Sequence, residues 1–184
     1  LYWVPELTAK QIDICNEGRT LATASCNDSV EPWVSGRLLP TAGKSAWKVR
    51  VERSRCNDGN GMWIGVCDAE ARCSWGLFLY SGRLRCVSRD ADGQLDYGPP
   101  PEGYPNGNYT TIVKQHTNLK GRTNGAVIEV LLDHDAGTLG YHINGGPYLE
   151  ALPFGTQDDR NLRPRSRTFP RGAALRPYAS CYYM

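Results

Sequence analysis

Residues 127–145 carry the sequence VIEVLLDHDAGTLGYHING, and this stretch decides the fold. Its two apolar runs, residues 127–132 and 138–143, are rich in β-branched and aromatic side chains and are separated by a polar segment with turn residues. The pattern predicts a β-hairpin. After the hairpin, Asn144 and Gly145 are residues that tolerate positive φ, as a further tight turn requires.

The polar segment of this hairpin, residues 133–137 (DHDAG), superficially resembles the start of a calcium loop. A calcium loop needs further oxygen ligands up to its twelfth position, whereas Thr138 already begins the next apolar run. We therefore predict a polar turn in which an aspartate caps backbone N–H groups, and no metal site.

Short strand patterns continue on both sides of the hairpin. Residues 46–52 alternate apolar and charged side chains, as a half-buried strand does, and residues 62–66 form a continuous apolar run typical of a central strand. The other predicted strands lie at residues 12–15, 20–24, 34–39, 77–80, 84–87 and 175–183. Ser81 and Gly82 form a candidate two-residue turn between two of these strands.

No segment of the chain combines helical periodicity with helix caps. Many short strands separated by turn residues predict an all-β fold, an antiparallel sandwich of two sheets with long loops and little helix. Five tryptophans and ten tyrosines supply large aromatic side chains for its core. We expect Trp47, Trp63 and Trp75 to fill the space between the sheets.

The composition is that of an ordinary globular protein, since 40% of the 184 residues are hydrophobic and 22% are charged. No apolar run reaches the roughly 18–20 residues of a membrane span. The net charge of +2 is too small to indicate nucleic acid or an anionic membrane as the partner. We expect one domain over residues 1–184, with its core at about residues 10–183. The chain could be a piece of a larger protein, because it begins without Met or a signal peptide.

The seven cysteines are odd in number, and no two are spaced as Cys-x-x-Cys. Zinc clusters and thioredoxin-like redox sites therefore lack their usual signature. A chain of this length can form a core without disulfides. We interpret most of the cysteines as free thiols of a protein in a reducing, intracellular compartment, the cytoplasm.

Two long loops interrupt the strand pattern, at residues 88–108 and 153–172. Such loops often carry binding sites, and the alternative is that they are plain surface insertions.

Six arginines and two aspartates give residues 153–176 a net charge of +4. This basic loop could bind an acidic peptide or RNA. Its candidate residues are Arg160, Arg163, Arg165, Arg167 and Arg171. Phe169 is the only aromatic residue within the arginine run, so nucleic acid is the less favoured ligand.

The order of the motifs resembles that of a SPRY domain over roughly residues 10–183. Residues 43–49 (GKSAWKV) match the Gly-x-x-x-Trp-x-Val strand entry of the family, and residues 63–66 (WIGV) match its Gly-Val strand. Residues 127–145 match its Ile-x-Val-x-Leu-Asp, Gly-x-Leu and Asn-Gly motifs in order. Residues 175–180 (LRPYAS) match its closing Leu-x-Pro-x-x-Ser strand.

Departures from the family pattern indicate a divergent member. Ala126 and Glu129 stand where the family usually has Asp and Gly, and the loop at residues 153–172 is longer than usual. The resemblance implies a non-catalytic protein-interaction module without a cofactor, monomeric as an isolated domain. SPRY domains occur as recognition parts of ubiquitin-ligase substrate receptors, scaffolds and channels.

The resemblance also implies where a protein or short peptide binds. The peptide pocket of the family lies at one end of the sandwich, and it corresponds by position to residues 27–31, 55–60 and 69–72 and to the end of the closing strand. The side chains carried over are Asn27, Asp28, Ser29, Arg55, Asn57, Asn60, Arg72, Tyr182 and Tyr183. Tyrosines with arginines and asparagines at their rim suit a protein interface. The first loop reads NDSVE, and the closing strand carries Tyr where the best-known pocket of the family has Trp. We therefore do not expect the same peptide motif to bind.

Two other classes of function stay open from the sequence. A hydrolase needs a nucleophile, a base and an acid, but no Ser lies in a Gly-x-Ser-x-Gly turn, and we predict no catalytic residues. A thiol enzyme would need Cys181 and His142 to come together. A lectin-like sandwich could bind carbohydrate through residues 57–60 and 92–109, which contain Asp, Asn and Tyr.

The native protein as isolated should contain seven free thiols and no structural disulfide. Mass spectrometry under denaturing, non-reducing conditions, after alkylation, counts the thiols directly. Two or three disulfide bridges in that measurement would be incompatible with a reducing compartment.

Overall fold

The computed structural model describes residues 3–8, 12–15, 21–24, 33–53, 62–80, 82–89, 95–96, 108–111, 119, 122–150 and 169–181. The described residues form fourteen β-strands and no helix. In chain order the strands are β1 (Trp3–Thr8), β2 (Ile12–Cys15), β3 (Leu21–Ala24), β4 (Trp33–Gly36), β5 (Lys44–Arg50), β6 (Met62–Asp68), β7 (Cys73–Phe78), β8 (Arg83–Arg89), β9 (Leu95–Asp96), β10 (Asn108–Thr111), β11 (Val127–Asp133), β12 (Thr138–Ile143), β13 (Leu149–Glu150) and β14 (Leu175–Cys181).

Most of these strands belong to two antiparallel sheets. The larger sheet has the order β1-β4-β14-β6-β7-β8-β10, with β9 also paired to β8. The smaller sheet has the order β13-β12-β11-β5, and β2 and β3 pair separately as a hairpin. The predicted all-β fold with two antiparallel sheets is therefore confirmed.

The stretch that decides the fold lies at the centre of the smaller sheet. β11 pairs with β12 on one side and with all seven residues of β5 on the other. Burial alternates along β11, where Ile128, Val130 and Leu132 are almost completely buried and the residues between them are half-buried. Alternate side chains of a strand point to opposite faces, so one face of β11 belongs to the core.

The turns predicted around this hairpin are present. The Oδ1 atom of Asp133 accepts hydrogen bonds from the backbone N–H groups of Asp135 and Ala136, at 3.1 and 2.9 Å. Asn144 has a positive φ of 51°. Its side-chain oxygen also accepts a hydrogen bond of 2.8 Å from the N–H group of Val127. The capping aspartate and the positive-φ turn are thus both confirmed.

The hydrophobic core lies between the two sheets. The larger sheet contributes Ile64, Val66 and Trp75 to it, and the smaller sheet contributes Tyr141 and the inward face of β11. Trp47 and Trp75 are 8% and 0% exposed, and both pack in this core as predicted.

A glycine lets the sheets approach closely in the middle of the core. Gly65 of β6 pairs with Gly76 of β7. A Cβ atom on Gly65 would overlap the carbonyl oxygen of Trp75 and would lie 2.9 Å from the hydroxyl oxygen of Tyr141. Position 65 therefore requires glycine. Burial raises the pKa of Tyr141 far above its usual range, so this hydroxyl stays neutral.

Trp63 does not lie between the sheets. It belongs to a second buried cluster with Cys67, Ala71 and Tyr178. Because Ile64 points into the core, the neighbouring Trp63 must point to the outer face of the larger sheet. The prediction for Trp63 is therefore wrong. All seven residues of β6 are buried, which fits its continuous apolar run but conceals which face each side chain occupies.

The connection between β7 and β8 is longer than the predicted two-residue turn. β7 ends at Phe78 and β8 begins at Arg83, and these two residues pair with each other. Leu79 is completely buried in the core, and Gly82 donates its N–H group to the carbonyl oxygen of Phe78 at 2.8 Å. The strand therefore ends two residues earlier than predicted, although the N–H group of Leu79 still donates to the carbonyl oxygen of Met62 at 3.0 Å.

Both predicted long loops overlap with regular structure or with the core. The first begins inside β8, whose last residue pairs with β9. The second contains Phe169, which is buried and whose ring meets Trp75 edge-on at 5.0 Å. The N–H group of Phe169 donates to the carbonyl oxygen of Gly137 at 3.0 Å. Phe169 is therefore an anchor in the core and is not available for base stacking.

Replacing Phe169 with Ala should lower the free energy of unfolding by about 3–5 kcal/mol, because it leaves a cavity beside Trp75. The matched control is Leu38→Ala at a side chain that is 51% exposed, and it should change stability by less than about 0.5 kcal/mol. Urea denaturation followed by tryptophan fluorescence measures both variants. Equal effects in the two variants would contradict the anchoring role of Phe169.

Candidate functional site: one end of the larger sheet

The ends of three neighbouring strands lie side by side in the larger sheet. In the order β4-β14-β6, the register pairs Trp33 with Ser180 and Met62 with Cys181. The first residue of β4, the last residue of β14 and the first residue of β6 therefore lie at the same end. We call this end, marked by Trp33, Met62 and Cys181, the aromatic end.

Three of the four predicted binding segments attach to the aromatic end. Residues 27–31 precede β4, residues 55–60 precede β6, and Tyr182 and Tyr183 follow β14. Chain continuity thus connects these segments to neighbouring strand ends. The predicted side chains of the segments lie outside the described residues; they are Asn27, Asp28, Ser29, Arg55, Asn57, Asn60, Tyr182 and Tyr183.

Arg72 lies at the opposite end of the larger sheet. Asp68, the last residue of β6, pairs with Leu175, the first residue of β14. The turn at residues 69–72 follows Asp68, so the length of β6 separates it from the aromatic end, roughly 20 Å at about 3.3 Å per residue. The structure does not bring Arg72 together with the other predicted residues, because the segments before and after one strand lie at its two opposite ends.

A row of aromatic rings lies on the outer face near the aromatic end. Trp33 stacks on Tyr178 with ring centres 6.5 Å apart, and Trp63 stacks on Phe78 at 4.8 Å. Tyr80 lies 6.0 Å from Phe78 in a tilted arrangement. We call these five residues the aromatic row. Trp63 and Tyr178 are buried, whereas the other three rings are half-buried.

The sequence alone did not indicate the aromatic row, because its members come from four separate segments. A signal was present in the sequence, since Trp63 and Cys67 alternate with the core residues of β6. Half-exposed aromatic rings on paired strands are the side chains that protein interfaces favour. The strands also hold the rings in place, so little conformational entropy is lost when a partner binds.

The turn at the opposite end is held by a buried carboxylate. The Oδ1 atom of Asp68 accepts hydrogen bonds from the N–H groups of Arg72 and Cys73, at 2.7 and 3.1 Å. Ala71, which directly precedes Arg72 in this turn, has a positive φ of 57°, which is uncommon for a residue with a side chain. Burial raises the pKa of Asp68, and the two N–H groups oppose this effect. The side chain of Arg72 is exposed to solvent.

Arg176 supports the same turn from β14. Its Nε atom donates to the carbonyl oxygen of Ala69 at 2.7 Å, and its Nη1 atom donates to the carbonyl oxygen of Gly36 at 3.1 Å. It therefore ties the turn to the end of β4. Arg171 of the predicted basic loop lies exposed in a turn after Phe169, and Arg160, Arg163, Arg165 and Arg167 lie outside the described residues.

Comparison with solved structures identifies the fold. The chain is similar to the crystal structure of the SPRY domain of human HERC1, with a TM-score of 0.53 and 18% sequence identity. The alignment covers 98% of this chain and 90% of that chain. The chain has a SPRY fold. No protein-family model matches the sequence, and the search of curated proteins finds no match. At 18% identity this similarity shows the fold alone. A function has to be inferred from the residues of this chain.

One serine and one histidine of the SPRY fold are in hydrogen-bond contact. The Oγ atom of Ser45 lies 3.0 Å from Nε2 of His134, whose side chain is buried. Burial lowers the pKa of His134. The carboxylate of Asp133 binds the backbone of its own turn and Lys44, at 3.4 Å from the Lys44 Nζ atom. The pair therefore joins the β11–β12 turn to β5, and Asp133 does not act as the orienting acid of a triad.

His142 cannot join Cys181 across the core. His142 is half-buried on β12 between the buried residues Tyr141 and Ile143, so it lies on the outer face of the smaller sheet, whereas Cys181 ends β14 of the larger sheet. The Nδ1 atom of His142 contacts the carbonyl oxygen of Gly146 at 2.8 Å.

Among the described residues there is no cluster of three or more metal-ligating side chains. The described part of the chain also contains no helix long and apolar enough to span a membrane.

Replacing Asp68 with Asn should change the pH dependence of stability. The folded-state pKa of Asp68 is raised above the ordinary value of 3.8, so the folded protein holds this proton more tightly than the unfolded chain. Its contribution to the free energy of unfolding is therefore largest at low pH and falls as the pH rises. Asn keeps an oxygen for both N–H groups and carries no charge. The stability of Asp68→Asn relative to the wild type should thus rise between about pH 4 and about pH 7.

Urea denaturation at both pH values tests this expectation, with Asp135→Asn at an exposed position as the control. If the difference in free energy of unfolding between Asp68→Asn and the wild type does not rise with pH, ionisation of Asp68 does not destabilise the folded protein. Asp68→Ala leaves two N–H groups without an acceptor and should cost about 1–3 kcal/mol.

Proposed function

We propose that this chain is a non-catalytic protein-interaction module that binds a protein or short peptide at the aromatic end. One observation carries the proposal: three predicted binding segments attach to neighbouring strand ends beside the aromatic row. The SPRY fold supports the same class of function, because the resemblance to that family implies peptide recognition by loops at one end of a sandwich. No cofactor is required.

The chemistry of the aromatic end suits a peptide of mixed character. The half-buried rings of Trp33, Phe78 and Tyr80 offer apolar area, and a guanidinium such as that of Arg55 would offer donors to carbonyl or carboxylate groups. If the strand continued beyond β14, alternation would turn only one of the two successive tyrosines toward the partner. Because the first loop has neither the Arg nor the Pro of the best-known SPRY pocket, the bound sequence differs from that pocket's ligand.

The cellular setting belongs to the same proposal. We infer an intracellular, reducing location, which is supported by the free thiols of Cys67, Cys73 and Cys86. The isolated domain would be a monomer. In a larger protein it would act as the recognition part of an adaptor, a scaffold or a ubiquitin-ligase substrate receptor.

Substitutions at the aromatic end should weaken binding of a peptide selected from a display library on the intact chain. Arg55→Ala, Tyr183→Ala and Tyr80→Ala remove a donor or a ring from the proposed site. At least one of the three should weaken binding more than tenfold, about 1.4 kcal/mol. Arg163→Ala and Arg165→Ala in the basic loop should leave affinity within twofold. Isothermal titration calorimetry measures all five variants.

Arg72→Ala is the matched arginine control, because Arg72 is exposed at the opposite end of the sheet. It should leave the affinity unchanged. If the three substitutions at the aromatic end change affinity less than twofold and the basic-loop pair costs more than tenfold, the basic loop is the binding site. Binding to glycans that is abolished by a chelator would instead identify a lectin.

A further inference from the structure

Two thiols meet on the inward face of the larger sheet, at the end opposite the aromatic end. Cys73 is the first residue of β7, and Cys86 lies opposite Trp75 on β8. Their Sγ atoms are 3.7 Å apart. Both residues are free cysteines and are buried, with 2% and 7% exposure. They are diagonal neighbours across two paired strands, which is a contact that the sheet itself maintains.

The two sulfur atoms are in non-bonded contact. A disulfide joins two sulfur atoms at about 2.05 Å, so the two Sγ atoms have to approach each other by roughly 1.6 Å. Side-chain rotation and a small strand shift can supply this movement. Cys67 cannot take part, because it lies in the cluster on the outer face of the same sheet.

The two thiols differ in reactivity. The hydrogen bond from Cys86 lowers the pKa of Cys73, and the same contact together with burial raises the pKa of Cys86. Cys73 begins β7 and lies nearer the end of the sheet than Cys86, so we take Cys73 as the thiolate that attacks first and Cys86 as the second thiol. Half-buried Ser88 pairs with Cys73 at the sheet end, and its Oγ atom lies 3.7 Å from the Cys73 sulfur, so a small oxidant would have to enter beside Ser88.

We propose that Cys73 and Cys86 form a dithiol that a small hydroperoxide oxidises to an intramolecular disulfide. The Cys73 thiolate attacks one peroxide oxygen, an S–O bond forms, the O–O bond breaks, and the departing oxygen leaves as water or an alcohol after taking a proton. The sulfur of Cys86 then attacks the Cys73 sulfur, the S–S bond forms, and the S–O bond breaks. Hydroxide leaves and takes the proton of Cys86 as water. The two thiols lose two electrons, and the peroxide gains them.

Formation of the disulfide would change the turn at residues 69–72, which contains Arg72. The N–H group of Cys73 donates to the carboxylate of Asp68, which also holds the N–H group of Arg72. Movement of Cys73 toward Cys86 therefore changes the hydrogen bonding of this turn. The modification site is about one strand length from the aromatic end, and it does not depend on the proposed binding function.

Peptide mapping of the full chain tests the proposal without any variant. The protein is treated with hydrogen peroxide, denatured, alkylated without reduction, digested and analysed by mass spectrometry. We expect a peptide pair linked through Cys73 and Cys86, and two fewer alkylated thiols than in untreated protein. A linkage that involves Cys67, or oxidation of Cys73 to sulfinic acid without any linkage, would overturn the proposal.

Single variants test the order of the two steps. In Cys86→Ser, Cys73 should stop at the sulfenic acid and be trapped by dimedone, whereas in Cys73→Ser dimedone labelling of Cys86 should be at least tenfold weaker. Cys67→Ser is the matched control at an equally buried cysteine and should form the same linkage as the wild type. Equal dimedone labelling in Cys86→Ser and Cys73→Ser would contradict the assigned roles. All of these measurements are made without a binding partner, so their outcome is separate from that of the binding experiment.

Discussion

The approach of the two sheets at Gly65 is the constraint on which the rest of the structure depends. Gly65 and Gly76 face each other on β6 and β7. A Cβ atom on Gly65 would lie 2.9 Å from the hydroxyl oxygen of Tyr141, whereas a Cβ atom on Gly76 would lie 3.2 Å from the Cβ atom of Trp63 within the larger sheet. Tyr141 of the smaller sheet can therefore reach the larger sheet with its whole ring. β6 is therefore covered on both faces, by the core on one face and by the second cluster on the other.

A strand that is buried on both faces gives the molecule two apolar layers. The layer between the sheets supplies most of the stability, because it contains nearly all of the completely buried side chains. The outer layer is smaller and ends in the half-buried rings of Trp33, Phe78 and Tyr80. The binding site that we propose therefore lies at the rim of a layer that the fold already needs for its own packing.

The sequence predicts local features of this fold well and long-range features less well. The turn at Asp133 depends on hydrogen bonds within three residues, so a short pattern was enough to predict it. Trp63 was misplaced because a strand buried on both faces shows no alternation between apolar and polar residues. Arg72 lies at the other end of β6 from the strand ends that the remaining predicted segments adjoin, and motif order along the chain does not specify such register. Phe169 was read as part of a charged loop because nothing nearby in the sequence indicates Trp75 as its neighbour.

The anchoring of Phe169 also bears on how this domain can be modified. The chain leaves the smaller sheet after β13 and returns at Phe169, and both points are fixed by described structure. The closure entropy of a chain between two fixed ends grows slowly with its length, by about 0.6 kcal/mol for each doubling. Foreign sequence inserted between these two points, such as an epitope or a small fluorescent domain, should therefore leave the two sheets intact.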